Sequence, residues 1–174
     1  MGNVATPEFL IARWVELCRD PSLDDLPYKI ELNAWGKVEM TPPAGVGHAR
    51  LQAEVAAQLR EQLRDGIAMT ECPVLTDIGV RVPDVAWASN AFMERHQGAS
   101  PLPRAPEVCV EIVSPSNIAA EIEEKTRAYL AAGAVEVWLV AESGAVRWLD
   151  KSGELPRSGF PAALALPDLT KEYR

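Results

Sequence analysis

The sequence predicts a single α/β domain in which a mixed central β-sheet carries helices on its faces. Its length of 174 residues suits one hydrophobic core. Helical and strand patterns alternate along the chain, and two nearly continuous apolar runs, at 108–113 and 136–141, are typical of buried strands. We expect one domain over 1–174, with an N-terminal helix over 6–20, a core over about 28–150 and a closing segment over 151–174.

Composition places the chain among folded globular proteins. Hydrophobic residues make up 48% of it and charged residues 24%, which argues against disordered, collagen-like and membrane-spanning classes. With 17 basic and 25 acidic residues the formal net charge is −8, so no overall basic field attracts phosphate backbones. A non-specific nucleic-acid coat protein is therefore disfavoured. A nucleic-acid enzyme remains compatible with this charge, because a bound divalent cation changes the local sign.

Targeting and cysteine patterns lead us to expect a cytoplasmic protein without membrane contact. No apolar stretch approaches the ~20 residues of a membrane-spanning helix, and the N-terminus lacks the basic region and long apolar run of a signal peptide. Cys18, Cys72 and Cys109 are far apart and include no CxxC pair. Neither a disulfide framework nor a zinc site is therefore predicted.

The first part of the chain predicts a helix, a hairpin and a second helix. The Thr-Pro-Glu sequence at 6–8 is typical of a helix N-terminus, and this helix should end near Asp20. Residues 28–40 alternate around an Asn-Ala-Trp-Gly turn, which predicts two antiparallel strands. Residues 48–66 carry a leucine or valine every four positions and end on Gly66, which we expect to cap the helix.

The rest of the chain predicts strands around one further long helix. In chain order these are two strands in 69–89, a proline-bearing loop with one helical turn in 89–106, a strand in 106–113, a helix with an asparagine cap in 117–133, a strand in 136–141, and a short strand with a Ser-Gly turn before the closing segment.

Two acidic residues interrupt apolar strand patterns. Asp84 follows Pro83 among residues that look buried, and Glu111 breaks the apolar run at 108–113. A carboxylate is costly in such a place unless it is paired or binds a metal. Two carboxylates on adjacent strands can together bind Mg²⁺ or Mn²⁺, which take oxygen ligands and keep waters that a substrate phosphate can replace.

Lys125 adds a cation to this pair. It lies on the helix that directly follows the Glu111 strand, so its long side chain can reach back toward the two carboxylates. Such a trio suits phosphodiester hydrolysis: the metal polarises the phosphate and lowers the pKa of a bound water, while the lysine orients that water or neutralises developing charge.

Each of the three residues also has a structural explanation. Asp84 can belong to an ordinary Pro-Asp turn, Glu111 can face solvent on an edge strand, and Lys125 can form an exposed i, i+4 pair with Glu121. The three together, on strand, strand and following helix in that order, favour a nuclease-type site.

Several motifs resemble a known family. They are Val-Pro-Asp at 82–84, VEIVSPS at 110–116, EIEEK at 121–125 and GAVEVWLV at 133–140, preceded by TPEFL at 6–10, YKIELNAWGKVEMTPP at 28–43 and His48. In these motifs the chain resembles the Uma-type restriction endonuclease family, a bacterial branch of the PD-(D/E)XK nuclease superfamily. The resemblance extends over most of the chain.

The resemblance implies a restriction-endonuclease-like core that cleaves nucleic acid, most simply DNA, with Mg²⁺ or Mn²⁺. Asp84 and Glu111 match the superfamily's acids and would bind the metal. The usual lysine two residues after the second acid is absent, since that position is Val113. In this branch the lysine comes from the following helix, which Lys125 fits. The resemblance also implies a homodimer, because superfamily nucleases that cut both strands often pair.

Three further residues match the family pattern and are candidate accessory groups: Glu31, His48 and Glu121, the last lying four residues before the lysine. The family's aspartate after the WLV motif is absent, since this chain has Ala141 and then Glu142 there. Glu31 fits a solvent-facing hairpin position equally well, and His48 fits a hydrogen-bonded helix end.

Other residues could contact nucleic acid. Tryptophans can stack on bases but are more often core residues in strands, and most loop charges only solvate the loop. The candidates are Trp35, Trp87, Trp138 and Trp148, the loop residues Arg95, His96 and Arg104, and the arginines of a local basic groove, Arg50, Arg60, Arg64, Arg81 and Arg127.

Two functional hypotheses remain open from the sequence. The first is a metal-dependent nuclease. The second is a catalytically silent protein that keeps the fold and uses its surface for interaction or dimerisation, which the acidic charge favours modestly. A small-molecule hydrolase is set aside, because the sequence has neither a GxSxG motif nor a Cys/His pairing.

Overall fold

Two β-sheets organise the computed structural model, which describes residues 4–115 and 117–172. Among these residues the elements in chain order are α1 (Pro7–Leu17), a 3₁₀ turn (Pro21–Leu23), β1 (Lys29–Asn33), β2 (Val38–Thr41), α2 (Val46–Gln62), β3 (Gly66–Thr70), β4 (Val74–Thr76), β5 (Gly79–Arg81), β6 (Val85–Ser89), α3 (Asn90–Arg95), β7 (Val108–Val113), α4 (Ala119–Ala132), β8 (Glu136–Ala141), β9 (Val146–Asp150) and β10 (Gly153–Leu155).

The larger sheet is mixed, as predicted. Its six strands run in the order β10-β9-β8-β7-β6-β3, and only β7 and β8 pair in parallel. Parallel neighbours need a crossover connection, which α4 supplies. Gly133 ends α4 in the left-handed region, at φ +117°, as predicted from its position.

Helices cover both faces of this sheet. Leu51, Val55 and Leu59 of α2 pack on one face against a cluster that includes Val110 and Trp138. On the other face, Tyr129 and Leu130 of α4 pack against Cys109, Val137 and Leu139. Since successive side chains of β7 alternate between faces, Glu111 shares the α4 face with Cys109.

The smaller sheet was not predicted. It is antiparallel, has four strands in the order β2-β1-β5-β4, and packs Leu32 and Val80 against Leu10 and Trp14 of α1. The predicted two strands in 69–89 were therefore wrong: this segment holds the end of β3 and all of β4, β5 and β6. Pro83 lies between β5 and β6, where the chain passes from the smaller sheet to the larger one.

Three predicted helix ends were also wrong. The first helix ends at Leu17, and Asp20 instead caps the short 3₁₀ turn. The second helix ends at Gln62, and Gly66 begins β3. Asn117 does not cap α4: its Oδ1 accepts a hydrogen bond from the Ser114 amide at 2.6 Å, within the turn that leaves β7.

The structure confirms the predicted positions of the β1–β2 hairpin and of the strands β7 and β8. The predicted helical turn after residue 89 is confirmed as α3. Among the described residues, no helix combines the length and apolar character needed to cross a lipid bilayer.

Candidate active site

Asp84 and Glu111 lie side by side on neighbouring strands. Val85 of β6 pairs with Val110 of β7, so the antiparallel register brings Asp84, the residue before β6, level with Glu111. The Ile112 amide donates a hydrogen bond to Asp84 Oδ2 at 2.8 Å. Asp84 is 3% exposed and Glu111 5%, so both carboxyl groups need partners.

The other partners of Asp84 are a lysine and a histidine. Its Oδ1 accepts a hydrogen bond from Lys29 Nζ at 2.7 Å, and His48 Nε2 lies 3.4 Å from the same oxygen. Burial by itself would raise the pKa of Asp84. The hydrogen bond with His48 and the charge of Lys29 outweigh burial and hold that pKa well below the usual range of a carboxyl group.

The partners of Glu111 are a phenol and a more distant ammonium. Its Oε1 accepts a hydrogen bond from the Tyr129 hydroxyl at 2.8 Å, and Lys125 Nζ lies 3.8 Å away. Burial raises the pKa of Glu111 to about 7; Lys125 opposes this shift and the negative charge of Asp84 adds to it. The two neighbouring carboxyl groups therefore differ in proton affinity, as paired acids in functional sites often do.

Lys125 contacts Glu31 more closely than it contacts Glu111. Its Nζ donates to Glu31 Oε1 at 3.0 Å, and the Val82 amide donates to the same oxygen at 2.8 Å. Arg81 also pairs with Glu31, at 3.4 Å. Glu31 is 4% exposed, which rules out the solvent-facing alternative for this residue. It holds the Lys125 ammonium between two carboxylates.

His48 and Glu121 occupy different surroundings. His48 lies in the first turn of α2, and the hydrogen bond with Asp84 raises its pKa. Glu121 is exposed in the first turn of α4, at the edge of the same cavity. Among the described residues, the ion pairs of Lys125 are those with Glu31 and Glu111, so the predicted exposed pair with Glu121 does not form.

All of these side chains except Tyr129 line one cavity of about 1230 Å³. Its walls come from β1, the β2–α2 connection, the residues around Asp84, the end of β7 and the first turns of α4. The six predicted site residues are therefore brought together here: Glu31, His48, Asp84, Glu111, Glu121 and Lys125.

Two residues of the site were missed by sequence reasoning. Lys29 precedes Glu31 by two positions on β1, so the period of a strand places both on one face. Tyr129 follows Lys125 by four positions on α4, which places both on one side of a helix. These two spacings were the only sequence signals for Lys29 and Tyr129. They are weak signals, because a lysine in a strand and a tyrosine in a helix are both common.

Most of the other predicted contact residues lie outside this cavity. Of the arginines proposed for a basic groove, Arg81 is the one that lines the cavity among the described residues, while Arg50 pairs with Glu172 and Arg127 with Asp77. The groove itself stays a prediction. Trp87 and Trp138 are buried in the core, as the structural explanation predicted. The loop residues Arg95, His96 and Arg104 are absent from the cavity lining among the described residues.

The donor set of the cavity fits a divalent cation held by two protein ligands. Mg²⁺ is commonly bound through one or two carboxylates, with waters completing its coordination. Glu111 Oε2 accepts no hydrogen bond from the described residues, and Asp84 Oδ1 is held only by side chains. No group of three or more His, Cys, Asp or Glu residues is close enough for a metal within the described ranges. Asp84 and Glu111 would therefore be the protein ligands.

Comparison with known proteins assigns the chain to a family. A solved structure with a similar fold is described as "a putative nuclease belonging to DUF820" from Anabaena variabilis ATCC 29413: its TM-score is 0.66 at 20% identity, covering 80% of this chain and 88% of that one. No curated protein matches the chain. The model of the Uma2 family, described as "Putative restriction endonuclease", matches residues 14–170, and the chain therefore belongs to that family.

Proposed function

We propose that the protein is a divalent-metal-dependent endonuclease that hydrolyses phosphodiester bonds in DNA. The observation that carries this proposal is the meeting of the buried carboxylates Asp84 and Glu111 with the Lys125 ammonium in one cavity. Membership of a family whose description is "Putative restriction endonuclease" supports the reaction and the choice of DNA.

Asp84 and Glu111 would hold Mg²⁺ or Mn²⁺. When bound, the ion supplies a Lewis acid for the phosphate and a water of lowered pKa. Tyr129 fixes one oxygen of Glu111 by its hydrogen bond, and the Ile112 amide fixes one oxygen of Asp84. The two remaining oxygens then have defined positions, which is the condition for a well-ordered ligand pair.

Lys125 acts on the attacking water. Glu31 holds the ammonium at 3.0 Å, and the ammonium lies 3.8 Å from Glu111. In that place the ammonium orients the water or neutralises charge that develops on the phosphate. Glu31 is therefore a positioning residue, and its own contacts with the Val82 amide and Arg81 keep it fixed.

The described residues that line the cavity include four basic side chains, Lys29, His48, Arg81 and Lys125, and eight acidic ones, so the cavity is acidic like the chain as a whole. The basic side chains reduce the repulsion that a phosphate backbone would meet, and a bound divalent ion reduces it further.

Cleavage by purified protein tests the proposal. Plasmid and oligonucleotide DNA are incubated with Mg²⁺ or Mn²⁺, beside an EDTA control and the variants Asp84→Asn and Lys125→Ala. We expect each variant to lower the cleavage rate by about 100-fold or more, because each removes a group needed in the transition state. Asp77→Asn is the matched control, since Asp77 is an exposed acid that pairs with Arg127 outside the cavity.

The catalytically silent interaction protein would be favoured if the wild type cleaves no form of DNA or RNA and binds no metal in calorimetry. One observation fits that alternative: Lys29 already pairs with Asp84, and Lys125 pairs with Glu31 and lies near Glu111. Cleavage that EDTA and Asp84→Asn leave unchanged would contradict the proposal equally.

A further inference from the structure

Lys29 occupies the oxygen through which Asp84 would bind a metal. Asp84 Oδ2 is held by the Ile112 amide at 2.8 Å, which leaves Oδ1 as the available ligand atom. Lys29 Nζ lies 2.7 Å from that Oδ1, and the Lys29 side chain is only 19% exposed. His48 is farther from the same oxygen, at 3.4 Å, and more exposed, at 28%.

An ammonium and a divalent cation compete for such a position. Both are attracted to the same buried carboxylate, and two cations within a few ångströms of one another repel strongly where water is largely excluded. Lys29 in its present place therefore opposes the metal, unless the side chain moves when the metal arrives.

The structure also shows where Lys29 could go. Glu71 Oε2 lies 3.5 Å from Lys29 Nζ, and the Glu71 side chain is 46% exposed. Glu71 is held in this place by Gln52, whose Nε2 donates to Glu71 Oε1 at 2.9 Å and to the Asp84 carbonyl oxygen at 2.9 Å. Glu71 itself has a φ of +51°, a conformation that side-chain-bearing residues rarely adopt. A second carboxylate is thus fixed beside Lys29, on the more exposed side.

We propose that Lys29 is the built-in counter-cation of the metal-free site, and that it leaves Asp84 for Glu71 when a divalent ion binds. This inference rests on the proposed function, because it concerns the same metal site. It has two consequences. Lys29 keeps the buried Asp84 carboxylate compensated while no metal is present, and it weakens metal binding, since the Lys29–Asp84 pair must first be broken.

Calorimetric titration with MnCl₂ and with MgCl₂ tests the competition. Lys29→Met and Lys29→Gln remove the ammonium, and the glutamine can still donate a hydrogen bond to Asp84. We expect both variants to bind the metal about 10-fold more tightly than the wild type, because no ammonium competes for Asp84 Oδ1. Lys29→Arg keeps a cation, so its metal affinity should stay near that of the wild type. Lys37→Met, at the exposed turn of the β1–β2 hairpin, is the matched control and should leave affinity unchanged.

A second measurement follows the ammonium itself. In ¹H–¹⁵N spectra of the lysine side chains, assigned by comparison with Lys29→Arg, the hydrogen-bonded Lys29 signal should be present without metal and should shift or vanish on saturation with Mg²⁺. If Lys29→Met does not fold without metal, this spectrum of the wild type still decides the question.

The outcomes separate this inference from the proposed function. Suppose that the wild type binds metal and cleaves DNA. Unchanged or weaker metal affinity in the neutral Lys29 variants, or a Lys29 signal that does not move at saturation, would then overturn the role of Lys29 alone. Absence of metal binding in the wild type and in both neutral variants would overturn both proposals.

Discussion

Asp84 and Glu111 show how two like side chains take different states in one cavity. Asp84 has a lysine, a histidine and a backbone amide as neighbours, and the hydrogen bond with His48 and the charge of Lys29 keep its pKa low in spite of burial. Glu111 receives a phenol and a more distant ammonium, and burial dominates its pKa. The exposed fractions of the two side chains are almost equal, so their different contacts account for much of the difference between their pKa values.

This asymmetry predicts a pH dependence of stability without metal. Glu111 has its pKa raised to about 7, so the folded state binds its proton more tightly than the unfolded chain does. Its contribution to stability is then complete below the unfolded pKa and is lost as pH rises toward 7. This loss amounts to about 3 kcal/mol of the free energy of unfolding. The variant Glu111→Gln keeps a hydrogen-bonding side chain for Tyr129 but has no proton to lose, so it should not show this loss.

Urea unfolding at pH 5 and pH 8 measures that effect. Without divalent ions the wild type should lose more free energy of unfolding between the two pH values than Glu111→Gln does. With Mg²⁺ present the loss in the wild type should shrink, because the ion compensates the carboxylate. Equal losses in the two proteins would show that Glu111 ionises normally.

At the scale of elements, Gly66 begins β3 instead of capping α2 as predicted, and it packs closely against β6. A glycine after a helical run commonly caps it, yet here α2 ends earlier and its Leu63 carbonyl accepts a hydrogen bond from Trp87 Nε1 at 2.9 Å. Gly66 begins β3 against Ala88 and Trp87 of β6, where an added Cβ would overlap the Ala88 carbonyl oxygen and lie 2.5 Å from the Trp87 ring.

We therefore expect Gly66→Ala to lower the free energy of unfolding by about 2 kcal/mol or more, through steric overlap in a closely packed place. Gly45→Ala is the matched control, because a Cβ at Gly45 would meet no atom within 4 Å. Denaturant unfolding of both variants gives the comparison, and equal effects in the two would contradict the steric explanation.

Elements with a strong local pattern were predictable, and so were acids that break such a pattern. Glu111 was found because it interrupts an apolar strand, and Lys125 because its helix follows that strand. The separate four-stranded sheet was not found, since short strands such as β4 and β5 carry too little alternation to be told from one longer strand. Lys29 was missed for a related reason: its partner Asp84 is 55 residues away, and no local pattern reports such a pairing.

At the scale of the whole molecule, the candidate site lies where the two sheets meet. Lys29, Glu31 and Arg81 come from the four-stranded sheet, and Glu111 comes from the six-stranded one. Asp84 lies on the connection between β5 and β6, which links the sheets. The cavity therefore forms only when both sheets are folded and packed, and its charges compensate one another across that junction.

This arrangement gives the account its central claim, that Asp84 and Glu111 together hold a divalent ion. The most direct measurement is anomalous diffraction from crystals soaked in MnCl₂. The account predicts one strong Mn²⁺ peak within about 2.2 Å of Asp84 Oδ1 and of a Glu111 oxygen, at the distances that such ions keep from oxygen ligands. A fully soaked crystal with no peak at these carboxylates, or with peaks only at exposed acids, would contradict it.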